Sequence, residues 1–154
     1  MPVFASRPGI FSVDGSSQGQ GAILNEDRTL NCPSNPAPRG SIITIVGTGG
    51  GEAAPGVVDG QIVSGIVPRT RLPGSLFLDD GSIDGSDEFY SPSQQLEVLY
   101  AGSSPGSVAG LLQVNVRVPA KAPGEKAAHA TLTLFIGSQW PFNQVTVALH
   151  RTLP

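Results

Sequence analysis

A chain of 154 residues has the size of a single domain, and its 20 glycines and 14 prolines interrupt it too often for long helices. Nine Lys and Arg residues stand against twelve Asp and Glu residues, so the net charge is −3. This balance argues against a surface for nucleic acid or for an anionic membrane, because both need clustered basic side chains. The apolar share of 39% is sufficient for a hydrophobic core.

The first half of the chain predicts short strands separated by turns. A strand is expected around residues 10–13, and residues 21–31 have the pattern of a strand, a tight turn over residues 25–27 and a second strand. Residues 41–47 are apolar on both faces and rich in β-branched side chains, which favours a central strand. The apolar pieces 56–58 and 61–67 fit either edge strands or packed loop.

The clearest pattern lies in residues 94–119. Leu96, Val98 and Tyr100 are expected on one face of a first strand, and the apolar residues of a second strand alternate with Gln113, Asn115 and Arg117. Period-two alternation of this kind predicts two strands, each with one buried and one wetted face. Further strands are predicted from residue 75, over 131–137 and over 144–150.

Strands of this length, separated by turns at this spacing, are typical of a sandwich. We therefore predict an all-β chain, a two-sheet antiparallel Ig-like β-sandwich of seven to nine short strands with little or no helix. The prediction places the whole chain, residues 1–154, in one domain.

No group of residues in the sequence carries a catalytic signature. Residues 102–106 match the Gly-x-Ser-x-Gly pattern of a serine hydrolase, but Pro105 follows the serine and lacks the backbone N–H that an oxyanion hole uses. The two histidines, His129 and His150, have no metal-binding spacing and are expected on the surface. We predict no catalytic residue and therefore no enzyme.

An acidic loop gives the strongest chemical signal. Asp80, Ser82 and Asp84 alternate along the chain, a glycine follows, and Asp87 and Glu88 add carboxylates. This arrangement resembles the first half of a calcium-binding loop, although position twelve is Ser91 instead of the bidentate Glu of an EF-hand. A solvated acidic turn is the simpler interpretation, and a structural calcium site is the alternative.

Several aromatic residues fall in or beside predicted loops, and Trp140, Phe142 and Tyr90 are the candidates for ligand binding. Aromatic rings in loops of a β-sandwich can stack on sugar rings. The competing interpretation, which we favour from the sequence, is that Trp140 and Phe142 fill one end of the sandwich, since aromatic side chains bury large areas.

Two long stretches, residues 19–51 and 98–119, carry a resemblance to a known family. The most specific pieces are Leu99-Tyr100-Ala101-Gly102, Pro105-Gly106 and Gln113-Val114-Asn115-Val116. The chain resembles a domain found near the C-termini of large exported proteins of Acidobacteria, of the Solibacter type, from Phe4 to Leu149. It departs from that pattern at 79–93, which is longer and more acidic, and at 138–143, which carries Trp140.

The resemblance implies export and a modular role, and it implies no chemistry. The first hypothesis is a non-catalytic structural or interaction module, cut from a longer exported chain and serving cell-surface assembly or adhesion. Its partners would be other domains of the same protein or a surface protein, with no nucleic acid and no membrane insertion. The alternative is a carbohydrate-binding module for polysaccharide, with calcium as a structural ion. The extracellular or cell-surface location rests on the resemblance, since the chain shows no signal peptide.

The calcium hypothesis predicts a higher melting temperature in excess calcium than in chelator. Calcium at about 100 times its dissociation constant adds about 2.7 kcal/mol to the free energy of unfolding, which raises the melting temperature by several degrees. The shift should disappear in the double variant Asp80→Ala/Asp84→Ala. Equal melting temperatures in calcium and chelator would leave the loop as a solvated turn.

Overall fold

The computed structural model describes residues 3–79, 94–120 and 129–150. Within these residues the chain forms ten strands and no helix. The strands are β1 (Gly9–Ile10), β2 (Ile23–Leu24), β3 (Ile42–Thr48), β4 (Ala53–Ala54), β5 (Arg69–Thr70), β6 (Gly74–Asp79), β7 (Gln94–Ser103), β8 (Leu112–Arg117), β9 (His129–Ile136) and β10 (Val145–Ala148).

Antiparallel pairing joins the strands into one continuous sheet in the order β1-β3-β8-β7-β6-β9-β10. The strand β2 pairs with β3 next to β1, and β5 connects β4 to the end of β7. The long strand β7 belongs to both halves of the sheet, because its first residues pair with β6 and the rest pair with β8. The sheet bends along this strand.

The two ends of the sheet meet, so that it forms a nearly closed cylinder. The N–H of Gly21 donates to the carbonyl of Thr146 at 2.9 Å, and the N–H of Thr146 donates to the carbonyl of Gly19 at 2.6 Å. These bonds place the segment before β2 along the free edge of β10. Further along the same edge, Ala37 and Leu149 form a parallel bridge.

The core inside this cylinder is aliphatic. Every residue of the buried cluster is Ile, Leu, Val or Ala, and most of them come from alternate positions of the strands. The strands β8 and β9 show the alternation most regularly, with each second side chain buried. None of the described Phe, Tyr or Trp residues belongs to this cluster.

Two asparagine side chains complete the closure by replacing missing backbone pairs. Asn31 is fully buried, with 0% of its surface exposed. Its side chain accepts from the N–H of Ala148 and donates to the carbonyl of Ala148, both at 2.9 Å. It also donates to Oδ1 of Asn25 at 2.9 Å. Asn143 accepts from the N–H of Ile10 at 2.9 Å and donates to its carbonyl at 2.8 Å. Each side chain satisfies a backbone group that would otherwise be buried without a partner.

The prediction of an all-β, antiparallel protein is confirmed. The hairpin of residues 94–119 is present, the strand over 41–47 is central, and the strands expected from residue 75, over 131–137 and over 144–150 are present as β6, β9 and β10. The strands form one continuous hydrogen-bonded path, and the division into two packed sheets stays a prediction.

Two details differ from the sequence predictions, the face of Tyr100 and the presence of β4 and β5. Tyr100 lies on the opposite face from Val98, because a bulge at Leu99 shifts the register: Val98 pairs with Val116, but Tyr100 pairs with Asn115. Of the two alternatives left open for residues 56–58 and 61–67, the structure agrees with loop: these residues form no strand and only a single bridge, between Ile62 and Val108. The strands β4 and β5 were not predicted, because a strand of two residues is too short to show an alternation of apolar and polar side chains.

Replacing Asn31 by Ala is expected to lower the free energy of unfolding by about 3 kcal/mol, because the buried N–H of Ala148 and Oδ1 of Asn25 both lose their partner. The carbonyl of Ala148 keeps its bond from the N–H of Ala37. Urea unfolding measures the change. The matched control Asn115→Ala removes one side-chain hydrogen bond, from Gln113, on the outer face, and should cost about 1 kcal/mol or less. Equal losses in both variants would contradict the closing role of Asn31.

Candidate functional site

The outer face of β6, β9 and β10 carries an unusual set of side chains. Because the leucines of β6 and β9 point into the core, the alternate residues Phe77, Thr133 and Phe135 point outward. Phe77 and Thr133 are direct partners across the two strands. We call the set formed by Phe77, Thr133, Phe135, Trp140 and Gln144 the aromatic–amide face.

The three rings of this face contact one another in series. The centroids of Phe77 and Phe135 are 5.7 Å apart with the rings at 89°, and the centroids of Phe135 and Trp140 are 5.8 Å apart with the rings at 59°. Edge-to-face and tilted contacts at these distances are favourable for aromatic pairs. Trp140 is 80% exposed, while both phenylalanines are half-buried. The two phenylalanines therefore support an exposed indole ring.

Uncharged polar side chains lie beside the rings. Nε2 of Gln144 donates to Oγ1 of Thr133 at 2.7 Å, and Gln95 pairs with Phe77 from the other side. Among the described residues of this side of the sheet, Asp79 and His129 lie at the opposite ends of β6 and β9 from Phe135. Glu97, two positions along β7 from Gln95, is paired with Arg117 at 3.0 Å. The strand partners of Phe77 and Phe135 are Gln95, Thr133 and Ser75, which are polar but not charged.

Phe142 is also exposed, at 63%, but has different neighbours. Its backbone N–H donates to the carbonyl of Pro8 at 2.8 Å, and the Arg7 guanidinium lies 5.7 Å from its ring centroid. The expectation that Trp140 and Phe142 fill one end of the fold is wrong. The aliphatic core is closed without them, and both rings remain on the surface.

The remaining candidates from the sequence lie outside the described residues: Asp80, Ser82, Asp84, Asp87, Glu88 and Tyr90. Among the residues that the structure describes, no group of three or more His, Cys, Asp or Glu side chains comes together as a metal site. The calcium site therefore stays a prediction. His129 and His150 are exposed, as expected.

The clefts formed by the described residues include three that lie away from this face. The first, of about 550 Å³, lies beside the exposed Glu52–Arg71 ion pair (3.5 Å), and its lining includes several glycines, among them Gly50, Gly51 and Gly110. A cleft of about 340 Å³ lies along residues 69–74 and 98–101, and one of about 470 Å³ includes Glu26, Asp27 and His150. None of the three is lined by a residue of the aromatic–amide face.

Tyr100, in the second cleft, has a structural role. Its hydroxyl donates to the carbonyl of Ser103 at 2.6 Å, and the Arg69 guanidinium lies 5.2 Å from its ring centroid. Burial raises the pKa of the Tyr100 phenol above its usual value of 10.0, while the positive charge of Arg69 acts in the opposite direction. A neutral phenol that holds the end of β7 offers no nucleophile at neutral pH.

Sequence reasoning found Trp140 but missed the rest of the face. The signal was present: Phe77 and Phe135 occupy outward positions of two strands whose inward positions are already filled by leucine and isoleucine. Single exposed apolar residues are common, but aromatic residues in the outward phase of adjacent strands form a contiguous patch, and such a patch points to a contact surface.

Comparisons with models of known families, with curated proteins and with solved structures give no match to this chain. Among the described residues there is no helix with the length and apolar character needed to cross a membrane. The surface itself therefore carries the functional argument.

Trp140 is the only tryptophan of the chain, so intrinsic fluorescence reports on this face alone. We expect an emission spectrum close to that of tryptophan in water and efficient quenching by acrylamide. Removing the supporting ring in Phe135→Ala should lower the fluorescence anisotropy, because the indole loses its main contact. Phe142→Ala is the matched control and should leave the anisotropy unchanged. A blue-shifted, poorly quenched emission in the native protein would contradict the exposed position.

Proposed function

We propose that this chain is a non-catalytic interaction module of an exported protein, which serves cell-surface assembly or adhesion and binds its partner through the aromatic–amide face. One observation carries the proposal: the core is entirely aliphatic, and the described Phe and Trp side chains lie outside it. Aromatic residues normally supply much of the buried area of a core. Here they supply area to the surface, where aromatic rings are the commonest centres of binding energy.

The pairing of the strands indicates that a partner would contact the side chains of the sheet and would not add a strand to it. The strands β3, β8, β6 and β9 each have neighbours on both sides, so a partner cannot extend the sheet by adding a strand there. An Ig-like arrangement of two packed sheets remains part of the proposal. It would present the outer face of β6 and β9 as one broad surface.

The second candidate is a carbohydrate-binding module, with the acidic loop as a structural calcium site. The exposure of Trp140 favours it, because a ring that is four-fifths exposed and supported from behind is available to stack on a ligand. Export and the cell-surface location are proposed on the resemblance to exported Acidobacterial proteins. The two candidates differ in the chemistry of the partner and share the same surface.

Protection of Trp140 from acrylamide by purified cell envelopes tests the shared surface. We expect envelopes to reduce the quenching and to sediment the native protein, and we expect Trp140→Ala to sediment several-fold less. The variant Phe142→Ala should behave as native. Without any protection or sedimentation, the proposed binding role of the face would fail.

Treated envelopes separate the two candidates. Protease digestion of the envelopes should abolish binding if the partner is a protein. Periodate oxidation, which cleaves the vicinal diols of sugars, should abolish it if the partner is a polysaccharide. The first result supports assembly or adhesion through a surface protein, and the second supports the carbohydrate-binding module.

A further inference from the structure

We infer that the aromatic–amide face binds an extended, uncharged polysaccharide chain that lies flat across the strands. The inference rests on the proposed binding role of this face and specifies the ligand. It is drawn from the alternation of rings and amides, from the position of the charges and from the open shape of the surface.

The aromatic rings and the neighbouring amide and hydroxyl groups complement two features of a sugar, its apolar face and its hydroxyl groups. A pyranose ring has a C–H face that packs on an aromatic ring, whose π-cloud is negative, and a rim of hydroxyl groups that need hydrogen-bond partners. Trp140 offers the ring. Gln144 directly precedes β10, two strands from Phe77. Its bond to Thr133 uses one amide proton, while its carbonyl oxygen is the natural acceptor for a hydroxyl.

The charges of the described residues favour an uncharged polysaccharide as the ligand. An acidic polysaccharide would need Lys or Arg beside the rings. The nearest strand positions instead carry Ser75, Gln95 and Thr133. Arg117, on the neighbouring part of the sheet, is paired with Glu97 at 3.0 Å. The ionisable side chains Asp79 and His129 are confined to the far ends of their strands.

The shape of the face favours an extended polysaccharide chain over a single small sugar as the ligand. A small ligand gains affinity by burial in a concave pocket, whereas the indole of Trp140 is 80% exposed. The row Gln95, Phe77, Thr133, Gln144 crosses from β7 to β10. Adjacent strands lie about 4.8 Å apart, so the row is roughly 14 Å long. That length accommodates more than one sugar unit of an extended chain.

The contacts behind Trp140 reduce the cost of binding. Phe135 lies against the indole and is itself held by the edge contact with Phe77. An indole that is already oriented loses less conformational entropy when a ligand arrives. We therefore assign Trp140 as the ligand-contacting ring, and Phe77 and Phe135 as positioning residues.

Binding to purified polymers tests the inference. The native protein should be depleted from solution by microcrystalline cellulose or by chitin, both uncharged, and should show no retardation in gels containing polygalacturonate. We expect Trp140→Ala to weaken binding more than tenfold and Gln144→Ala about fivefold. Phe142→Ala and Phe11→Ala, which remove exposed rings outside the face, should bind as the native protein does. Circular dichroism melts verify that each variant is folded.

Any of four results would overturn the inference. Two concern the uncharged polymers: the native protein binds neither of them, or folded Trp140→Ala binds them as well as the native protein does. The other two concern the ligand: polygalacturonate binds as strongly as the uncharged polymers, or the disaccharide cellobiose displaces the protein from cellulose as effectively, per sugar unit, as the polymer itself binds it. The envelope experiment separates this failure from that of the proposed function. If envelopes protect Trp140 through a protease-sensitive component and no polymer binds, the face is an interaction surface and its ligand is a protein. If envelopes and polymers both fail to bind, the proposed function fails as well.

Discussion

The buried amide of Asn31 lies at the centre of the contacts that close the sheet. The loop between β2 and β3 meets β10 through a backbone bond from the N–H of Ala37 to the carbonyl of Ala148. The Asn31 side chain adds a second bond to that carbonyl and accepts from the N–H of Ala148, which has no backbone partner in this loop. Gln20 adds a bond to Oδ1 of Asn31 at 3.0 Å. Since an amide buried without these partners would be costly, the network allows one register between the two ends of the sheet.

Closure also explains the division of side chains between inside and outside. The interior of the cylinder is filled by Ile, Leu, Val and Ala side chains, and it includes no aromatic ring of the described residues. The aromatic residues are then placed in the outward phase of the strands or in turns. Their contacts with one another on the outside of β9 create a surface with a defined shape, which is what binding requires.

Local sequence patterns predicted the positions of the strands better than they predicted which side chains point inward and which point outward. Period-two alternation identified β7, β8 and β9, because burial of one face requires it. It placed Tyr100 on the wrong face, since a single extra residue at Leu99 reverses the phase and leaves no mark in the composition. For the site, Trp140 was visible as a loop aromatic, but Phe135 and Phe77 became meaningful only as neighbours across the sheet.

The sequence by itself determined the all-β class, the central hairpin, the low charge and the surface positions of the histidines. These follow from local period, turn residues and composition, which act over a few residues. Only the tertiary structure decided that Trp140 is exposed and rests on Phe135, that Gln144 bonds Thr133, and that Asn31 joins distant strands. Such contacts join residues that approach one another only when the sheet curls and closes, and no local pattern encodes which ends meet.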